Sequence, residues 1–330
     1  MVVSASKSTL LQIQELNVTY FPVRGDPLRA LDGVSLEVRT QEVLGILGES
    51  GCGKSTLANT VLRLLPANCK YEHGQILFHD HDLLKLPESE LDKIRGREIA
   101  IVAQDPALSL NPVMTVGDQI SEVFRAHISL RNKQRQERVT ELLGQMGFDQ
   151  PSQIYSAYPH QLSGGQRQRV VIAQALACRP SLIIADEPTS KLDPSLRGEV
   201  MALLSRIREQ YGIAILLISH DPTLFIGFAD RIATMYAGRI VEIGNCAEIF
   251  ARPLHPYTQA LVRIAKSAVT DSAKNRFPFI EGDAADPTVR ESGCRFEPRC
   301  PERMEICTCN FPPEFSPEAE RAVSCFKYAE

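Results

Sequence analysis

No run of apolar residues in this 330-residue chain approaches the roughly 18 needed to span a bilayer, so no transmembrane helix is expected. The opening stretch MVVSASKSTLLQIQEL lacks the long apolar core of a secretory signal. A soluble cytosolic chain is therefore expected, one able to dock on a membrane component. There is no large charge excess either. Lys and Arg number 36 against 40 Asp and Glu, a net charge of −4, which gives no global basic field to attract nucleic acid. The densest basic stretch, LRNKQRQERV at 130–139, reads as the solvated face of a helix. The sequence shows no internal repeat and no long low-complexity segment.

What is present is an apolar fraction of 44%, enough for a sizeable core, and one dense glycine motif, GESGCGKST at 48–56. Gly48, Gly53, Lys54 and Ser55 fit G-x-x-x-x-G-K-[ST], the phosphate loop of nucleotide-binding proteins. Its glycines free the backbone to approach a ligand, and successive N–H groups form a nest for phosphate oxygens. Lys54 supplies a point charge for the β- and γ-phosphates, and the Ser55 hydroxyl is placed to hold Mg²⁺. The context agrees. EVLGIL at 42–47 reads as a buried parallel strand, and Leu57, Val61 and Leu64 follow at helical spacing until Pro66.

LLQIQELNVTYF, ALDGVSLEV and GQILFHD alternate apolar and polar residues, as half-buried antiparallel strands do. IAIVA at 99–103 is a core strand ending at Gln104. Helical stretches are expected around 115–127 and 133–146, within a mostly helical insertion over about 105–180. Parallel strands return at LIIAD, 182–186, and IAILLIS, 213–219. Between them Asp193 is expected to cap a helix whose buried face is Val200, Leu203, Leu204 and Ile207, ended by Gly212.

Asp186 and Glu187 close the first of those strands, at the carboxyl end where open α/β sheets bind ligands. Asp186 suits Mg²⁺ held through water, and Glu187 suits a group that takes a proton from an attacking water. LSGGQRQR at 162–169 opens a second helix with Ser163, Gly164, Gly165 and Gln166, a second anion site in one chain. His220 follows the next strand, within reach of a γ-phosphate.

With these residues in hand, the chain resembles the nucleotide-binding subunit of an ABC transporter over nearly its whole length. The resemblance rests on GESGCGKST, Gln104 (Q-loop), LSGGQ (signature), LIIADE (Walker B), SKLD (D-loop) and His220 (switch histidine). It implies an α/β P-loop NTPase core with an antiparallel β subdomain, a helical subdomain and a small Cys-rich C-terminal extension. It also implies a head-to-tail dimer in which ATP lies between the phosphate loop of one subunit and the signature of the other, so the two anion sites serve different nucleotides. Glu187 would be the general base, acting with His220, Lys54 and Gln104. ATP would contact Tyr20 (Phe21 is a near alternative), Gly48, Glu49, Ser50, Gly51, Cys52, Gly53, Lys54, Ser55, Thr56, Gln104, Ser163, Gly164, Gly165, Gln166, Asp193 and His220. Mg²⁺ would sit on Ser55, Gln104 and Asp186.

Longer phrases, IRGREIAIVAQDPALSLNPVMTVGDQISE, ADEPTS, MYAGRIVEIG and RPLHPYTQAL, resemble the dipeptide/oligopeptide/nickel importer branch. That implies ATP-driven uptake of peptides or a related solute and work with two membrane permease subunits. It further implies a second ATP-binding subunit, identical or related, an extracytoplasmic solute-binding protein, and a peripheral position on the cytoplasmic face of the membrane. Nucleic acid is not an expected partner. The rival reading is a soluble ABC ATPase acting on ribosomes or DNA, which usually carries tandem domains or a long coiled coil. A phosphate-loop kinase would have no use for LSGGQ. Two departures stand out: Ala103 where Phe is usual and Lys191 where Ala or Thr is usual in the D-loop.

The α/β rhythm stops near 250, so residues 1–250 are read as the nucleotide-binding domain and 251–330 as the extension. The extension is rich in Pro and charge and holds five of the nine cysteines. Clustered cysteines in a cytosolic chain favour a metal site over disulfides. The spacing is not a C-x₂-C zinc pattern, and zinc, free thiols and disulfides stay open. The segment GCRFEPRCPERMEIC…SCF resembles the C-terminal extension of the importer branch, whose cysteines can hold a [4Fe–4S] cluster; the resemblance implies Cys294, Cys300, Cys307 and Cys325 as its ligands, with Cys309 to spare. Residues 290–330 have few large apolar side chains, so a cross-link in place of a core is expected.

Overall fold

The computed structural model of the protein describes residues 8–270, 280–283, 285 and 293–329. The chain divides into two compact units, one formed by Leu86–Leu217 and one by Thr9–Lys85 with Ile218–Glu330.

In the second of these, the alternating segments pair as read. The strand Thr9–Tyr20 lies antiparallel between Leu28–Arg39 and Cys69–Phe78, with the short His81–Asp82 beyond. Leu11, Ile13, Leu16 and Val18 are all buried, although strict alternation would put Glu15 inward. A register shift between Ile13 and Leu16, with Glu15 at φ 47°, resets the pattern so that the carboxylate stays out and Leu16 goes in.

The same unit contains Val43–Leu47, wholly buried and parallel to Arg231–Tyr236. Arg239–Asn245 continues antiparallel to Arg231–Tyr236. The regular structure does not stop near 250. A 15-residue helix, Pro256–Thr270, follows. Arg321–Val323 then pairs with Arg239–Asn245, Val323 opposite Glu242, and Phe315–Glu318 pairs with Arg321–Val323. The C-terminal segment thus extends an existing sheet rather than needing a core of its own. Phe296 is 2% exposed and packs against Tyr236 and Tyr257 at ring separations of 5.2 and 5.4 Å. The expected dearth of apolar contacts is corrected here, because the segment shares the core of the unit it folds onto.

In the other unit, Ile99–Val102 runs parallel to Leu182–Asp186. Between the two lie the helices Val116–His127, Asn132–Gln145, Pro151–Ser156 and Gly164–Leu176, as the sequence led one to expect for 105–180. Thr115 caps the first through the Asp118 N–H, at 3.2 Å. Pro194–Tyr211 buries Val200, Leu203, Leu204 and Ile207 and ends at Gly212, φ 65°. Asp193 occupies the N-cap position but makes no capping hydrogen bond, so Pro194 rather than the carboxylate marks this start. Among the described residues no helix is long and apolar enough to cross a membrane.

Candidate functional site

The phosphate loop leaves the buried strand Val43–Leu47 and enters the helix Lys54–Val61 at Gly53. A Cβ on Gly48 would lie 2.3 Å from the Met235 carbonyl oxygen, and one on Gly53 would lie 2.4 Å from that of Ala30, with φ at +109° besides. Only glycine fits either position. The loop is therefore lined by backbone, which is what close approach to a phosphate requires. Lys54 is 6% exposed, and its ammonium donates to the carbonyls of Gly48 and Glu49 at 2.8 and 2.9 Å. That positive charge spans the loop, and with the N–H groups at a helix N-terminus it fits a polyphosphate. Ser55 is exposed at the start of the helix, and Thr56 Oγ1 lies 3.3 Å from Tyr20 Oη. Tyr20 is half-buried, while Phe21 is exposed beneath the Lys70 ammonium, 5.6 Å from its ring centre. Ser50 and Gly51 are exposed. Cys52 is buried, and burial pushes its thiol above the usual range.

Glu49, expected as an ATP contact, has other engagements. Its N–H donates to Tyr257 Oη at 2.9 Å, and its carboxylate takes both terminal nitrogens of Arg299, at 2.7 and 3.0 Å. Neither Tyr257 nor Arg299 was picked out from the sequence. In the sequence RPLHPYTQAL reads only as a mark of the branch. Tyr257 was legible at most as an aromatic in a helix, and Arg299 as one arginine in a charged tail.

His220, exposed, closes the strand Ala214–Ser219. The turn behind it is fixed locally: the Asp221 N–H donates to Ser219 Oγ at 3.0 Å, and Asp221 accepts from the Thr223 N–H at 2.9 Å.

The remaining expected residues lie in the other unit. Gln104 is exposed just past Ile99–Val102, where Asp105 caps a short helix through the Ala107 N–H at 2.8 Å. Asp186 and Glu187 are each 7% exposed at the end of Leu182–Asp186. Glu187 has φ 48°, a left-handed backbone unusual for a β-substituted residue, and its carbonyl accepts from Ser190 N–H and Oγ at 3.2 and 3.1 Å. Such an outlier costs on the order of 1–3 kcal/mol and persists only where the surroundings enforce it. Here the tight turn after the strand does so.

Ser163 and Gln166 form a capping box: Ser163 Oγ accepts the Gln166 N–H at 3.2 Å, and Gln166 Oε1 accepts the Ser163 N–H at 2.9 Å. This rigidifies the helix start and leaves the Gly164 and Gly165 amides to face an anion. Gly165 sits so close to the D-loop helix that a Cβ would be 3.1 Å from Leu196. Asp193 and Lys191 are exposed nearby in sequence. No single compact unit contains all the expected ATP contacts.

The C-terminal cysteines, expected to hold a metal centre, are placed as follows. Burial pushes the Cys294 thiol up to about 11, with Cys307, Cys300 and Cys325 adding to the shift. Burial likewise raises Cys300 and Cys325, each with Cys307 among its neighbours. The Cys294 N–H also donates to the Cys307 carbonyl at 2.8 Å, while Cys309 is exposed with its sulfur 3.2 Å from Thr308 Oγ1. The backbone hydrogen bond sets Cys294 beside Cys307, and Cys309 is exposed. Yet among the described residues no three His, Cys, Asp or Glu side chains converge closely enough to hold a metal ion, so the expected metal-binding and iron–sulfur centre is not borne out by this geometry.

The comparisons agree with the motifs. The ABC transporter family matches residues 31–190, and the oligopeptide/dipeptide transporter C-terminal region matches 241–307. The oligopeptide transport ATP-binding protein AppD of Bacillus subtilis is 40% identical over 98% of both chains. The oligopeptide transport ATP-binding protein OppD of Escherichia coli is 39% identical over 97% of this chain and 94% of its own length. Among solved structures, the dimeric ATP-binding cassette MJ0796 in a post-hydrolysis state with ADP and Pi matches with TM-score 0.64 and 29% identity, over 72% of this chain and 99% of that one. The cbiO1 subunit from Clostridium perfringens, part of a cbiONQ transporter complex, matches with TM-score 0.64 and 30% identity, over 80% and 96%. The chain belongs to the ABC transporter family, among its oligopeptide and dipeptide transport ATP-binding proteins.

Proposed function

We propose that this protein is the ATP-hydrolysing subunit of an ABC importer, coupling Mg-ATP binding and hydrolysis to uptake of di- or oligopeptides or a related small solute. The observation that carries the reading is the pairing, in one chain, of a backbone-lined phosphate loop spanned by Lys54 with a second helix N-terminus, at Ser163, open to an anion. One chain with two anion sites suits a head-to-tail dimer in which each nucleotide meets both. Residues 1–250 would form the nucleotide-binding domain, with 105–180 facing the permease, and 251–330 the extension. Two permease subunits, a second ATP-binding subunit and an extracytoplasmic binding protein would complete the importer, with this chain peripheral on the cytoplasmic face.

In this reading the loop amides and Lys54 bind the β- and γ-phosphates. Tyr20 stacks on the base. Glu187, held by its turn, orients a water and takes its proton as the water oxygen bonds to the γ-phosphorus and the bond to ADP breaks. His220, Gln104 and the partner's Ser163 loop stabilise the transferred charge. Ser55, Gln104 and Asp186 offer the oxygen donors Mg²⁺ prefers, and the ion would neutralise charge on the phosphate oxygens.

Glu187→Gln tests the reading. Because the amide cannot take the proton, turnover should fall by at least ~100-fold while ATP binding persists and traps a dimer. Near-normal turnover in the assembled complex refutes the role. A finer proposal is that Cys294, Cys300, Cys307 and Cys325 bind a [4Fe–4S] cluster. It is supported by the suitability of four thiolates for iron and by the hydrogen bond that sets Cys294 beside Cys307, and not by convergence of the thiols. Iron and zinc counts on anaerobically purified protein decide it: about four irons per chain support it, and zinc or no metal removes it.

A further inference from the structure

The residue that ties the C-terminal segment to the phosphate loop is Arg299. Its side chain is 4% exposed, and all five of its N–H donors are engaged. Nη1 donates to Glu49 Oε2 at 2.7 Å and to Tyr236 Oη at 3.4 Å. Nη2 donates to Glu49 Oε1 at 3.0 Å and to the Ile280 carbonyl at 3.3 Å. Nε donates to the Glu281 carbonyl at 3.1 Å. A guanidinium bound on every side is fixed in place, and its fork matches a carboxylate in both distance and plane.

Glu49, in turn, is held at three points. Arg299 takes its carboxylate, Tyr257 Oη accepts its N–H at 2.9 Å, and Lys54 donates to its carbonyl at 2.9 Å. Glu49 directly follows Gly48, whose backbone is packed against the Met235 carbonyl with no room for a Cβ. The loop's first turn therefore has one wall from the sheet and the other from residues 257 and 299. Without the second wall, the exposed Ser50 and Gly51 that follow would have no fixed point on that side.

We propose that Arg299 is a positioning residue for nucleotide binding: through Glu49 it holds the phosphate loop in its binding shape, so the C-terminal segment is part of the ATP site's framework and not an appendage to it. Arg299 touches no nucleotide; it acts through Glu49. The proposal deepens the ATPase reading and rests on it. It also gives the tail's edge strands a purpose, since they anchor the chain on which Arg299 sits.

The test is the ATP dissociation constant of the full chain, with KM and kcat of the assembled importer. Arg299→Met keeps length and apolar bulk but removes the fork. It should raise the dissociation constant about tenfold, the scale on which partners behind a ligand-binding group act, and raise KM for ATP more than it lowers kcat. Arg299→Lys should recover part of the affinity. Glu49→Gln combined with Arg299→Met should be no worse than Arg299→Met alone, because both remove one contact.

Glu320→Gln is the control. Glu320 ties the same segment to Arg39 at 3.1 Å, on the strand before Val43–Leu47 and not on the loop, and Arg39 keeps Glu37 at 3.0 Å. Its affinity should match the parent's. An unchanged dissociation constant in Arg299→Met, additive effects in the double variant, or an equal loss in Glu320→Gln would each overturn the proposal. If the unaltered protein bound no ATP, the ATPase reading would fall, and the inference with it.

Discussion

Replacing Arg321 by Met should unseat the C-terminal segment. Arg321 and Glu242 form an ion pair at 2.8 Å with side-chain exposures of 1% and 0%. The Glu242 carboxylate also accepts the N–H groups of Leu254 and His255, at 3.0 and 2.9 Å, so it secures both the edge strand and the approach to the helix Pro256–Thr270. Arg321 further donates to Glu318 at 3.1 Å and to the Arg252 carbonyl. Met fills the space of the aliphatic stem but leaves a buried carboxylate with two amides and no cation. Breaking a buried pair from one side costs about 3–5 kcal/mol, mostly because the remaining charge has lost its compensation. At roughly 2–4 °C per kcal/mol for a unit of some 150–250 residues, the midpoint should fall by around 6–20 °C. Scanning calorimetry on the full chain measures it. Glu242→Gln in the same molecule should recover a large part of the loss, since it removes the stranded charge. A fall below about 2 °C for Arg321→Met, or no recovery in the pair, would refute the view that this ion pair secures the tail.

Two further outcomes are expected. His255 is fully buried, and burial, with a smaller push from Lys327, lowers its pKa from 6.5 to about 3, while its Nδ1 accepts the Tyr257 N–H at 3.1 Å. The unfolded chain therefore binds a proton that the folded chain refuses. Stability from this group is complete above pH ~6.5 and falls by up to about 1.4 kcal/mol per pH unit as pH drops towards 3. His255→Asn, which keeps an acceptor near that N–H, should flatten the slope in urea titrations between pH 6.5 and 4.5, and an unchanged slope would contradict the assignment. Ser163→Arg places a bulky cation at an exposed helix start. Subunit ATP affinity should hold while hydrolysis by the complex disappears, and loss of affinity in the isolated monomer would defeat the head-to-tail arrangement.

The strand–loop–helix around GESGCGKST, the buried strand LIIAD and the capped helix at Ser163 were legible because each is specified locally. Glycines at fixed offsets, a short β-branched run and a Ser three residues before a Gln determine backbone shape with little help from distant residues. The helical stretches around 115–127 and 133–146 were legible as well. Other features depended on partners far along the chain. Glu15 gave no sign that it would sit at a bulge, since strict alternation placed it inward. Residues 290–330 looked too poor in apolar groups to order themselves. Only the tertiary structure revealed an edge strand, Arg239–Asn245, waiting to pair with Arg321–Val323, and a ring cluster ready to receive Phe296. Periodicity cannot say which edge a strand will join, because hydrogen bonding between backbones is indifferent to sequence distance. The grip of Arg299 on Glu49 spans 250 positions and arises only once the sheet has brought both ends together. Local chemistry in the sequence therefore determined the phosphate loop and the family, while long-range pairing decided what holds that loop in place.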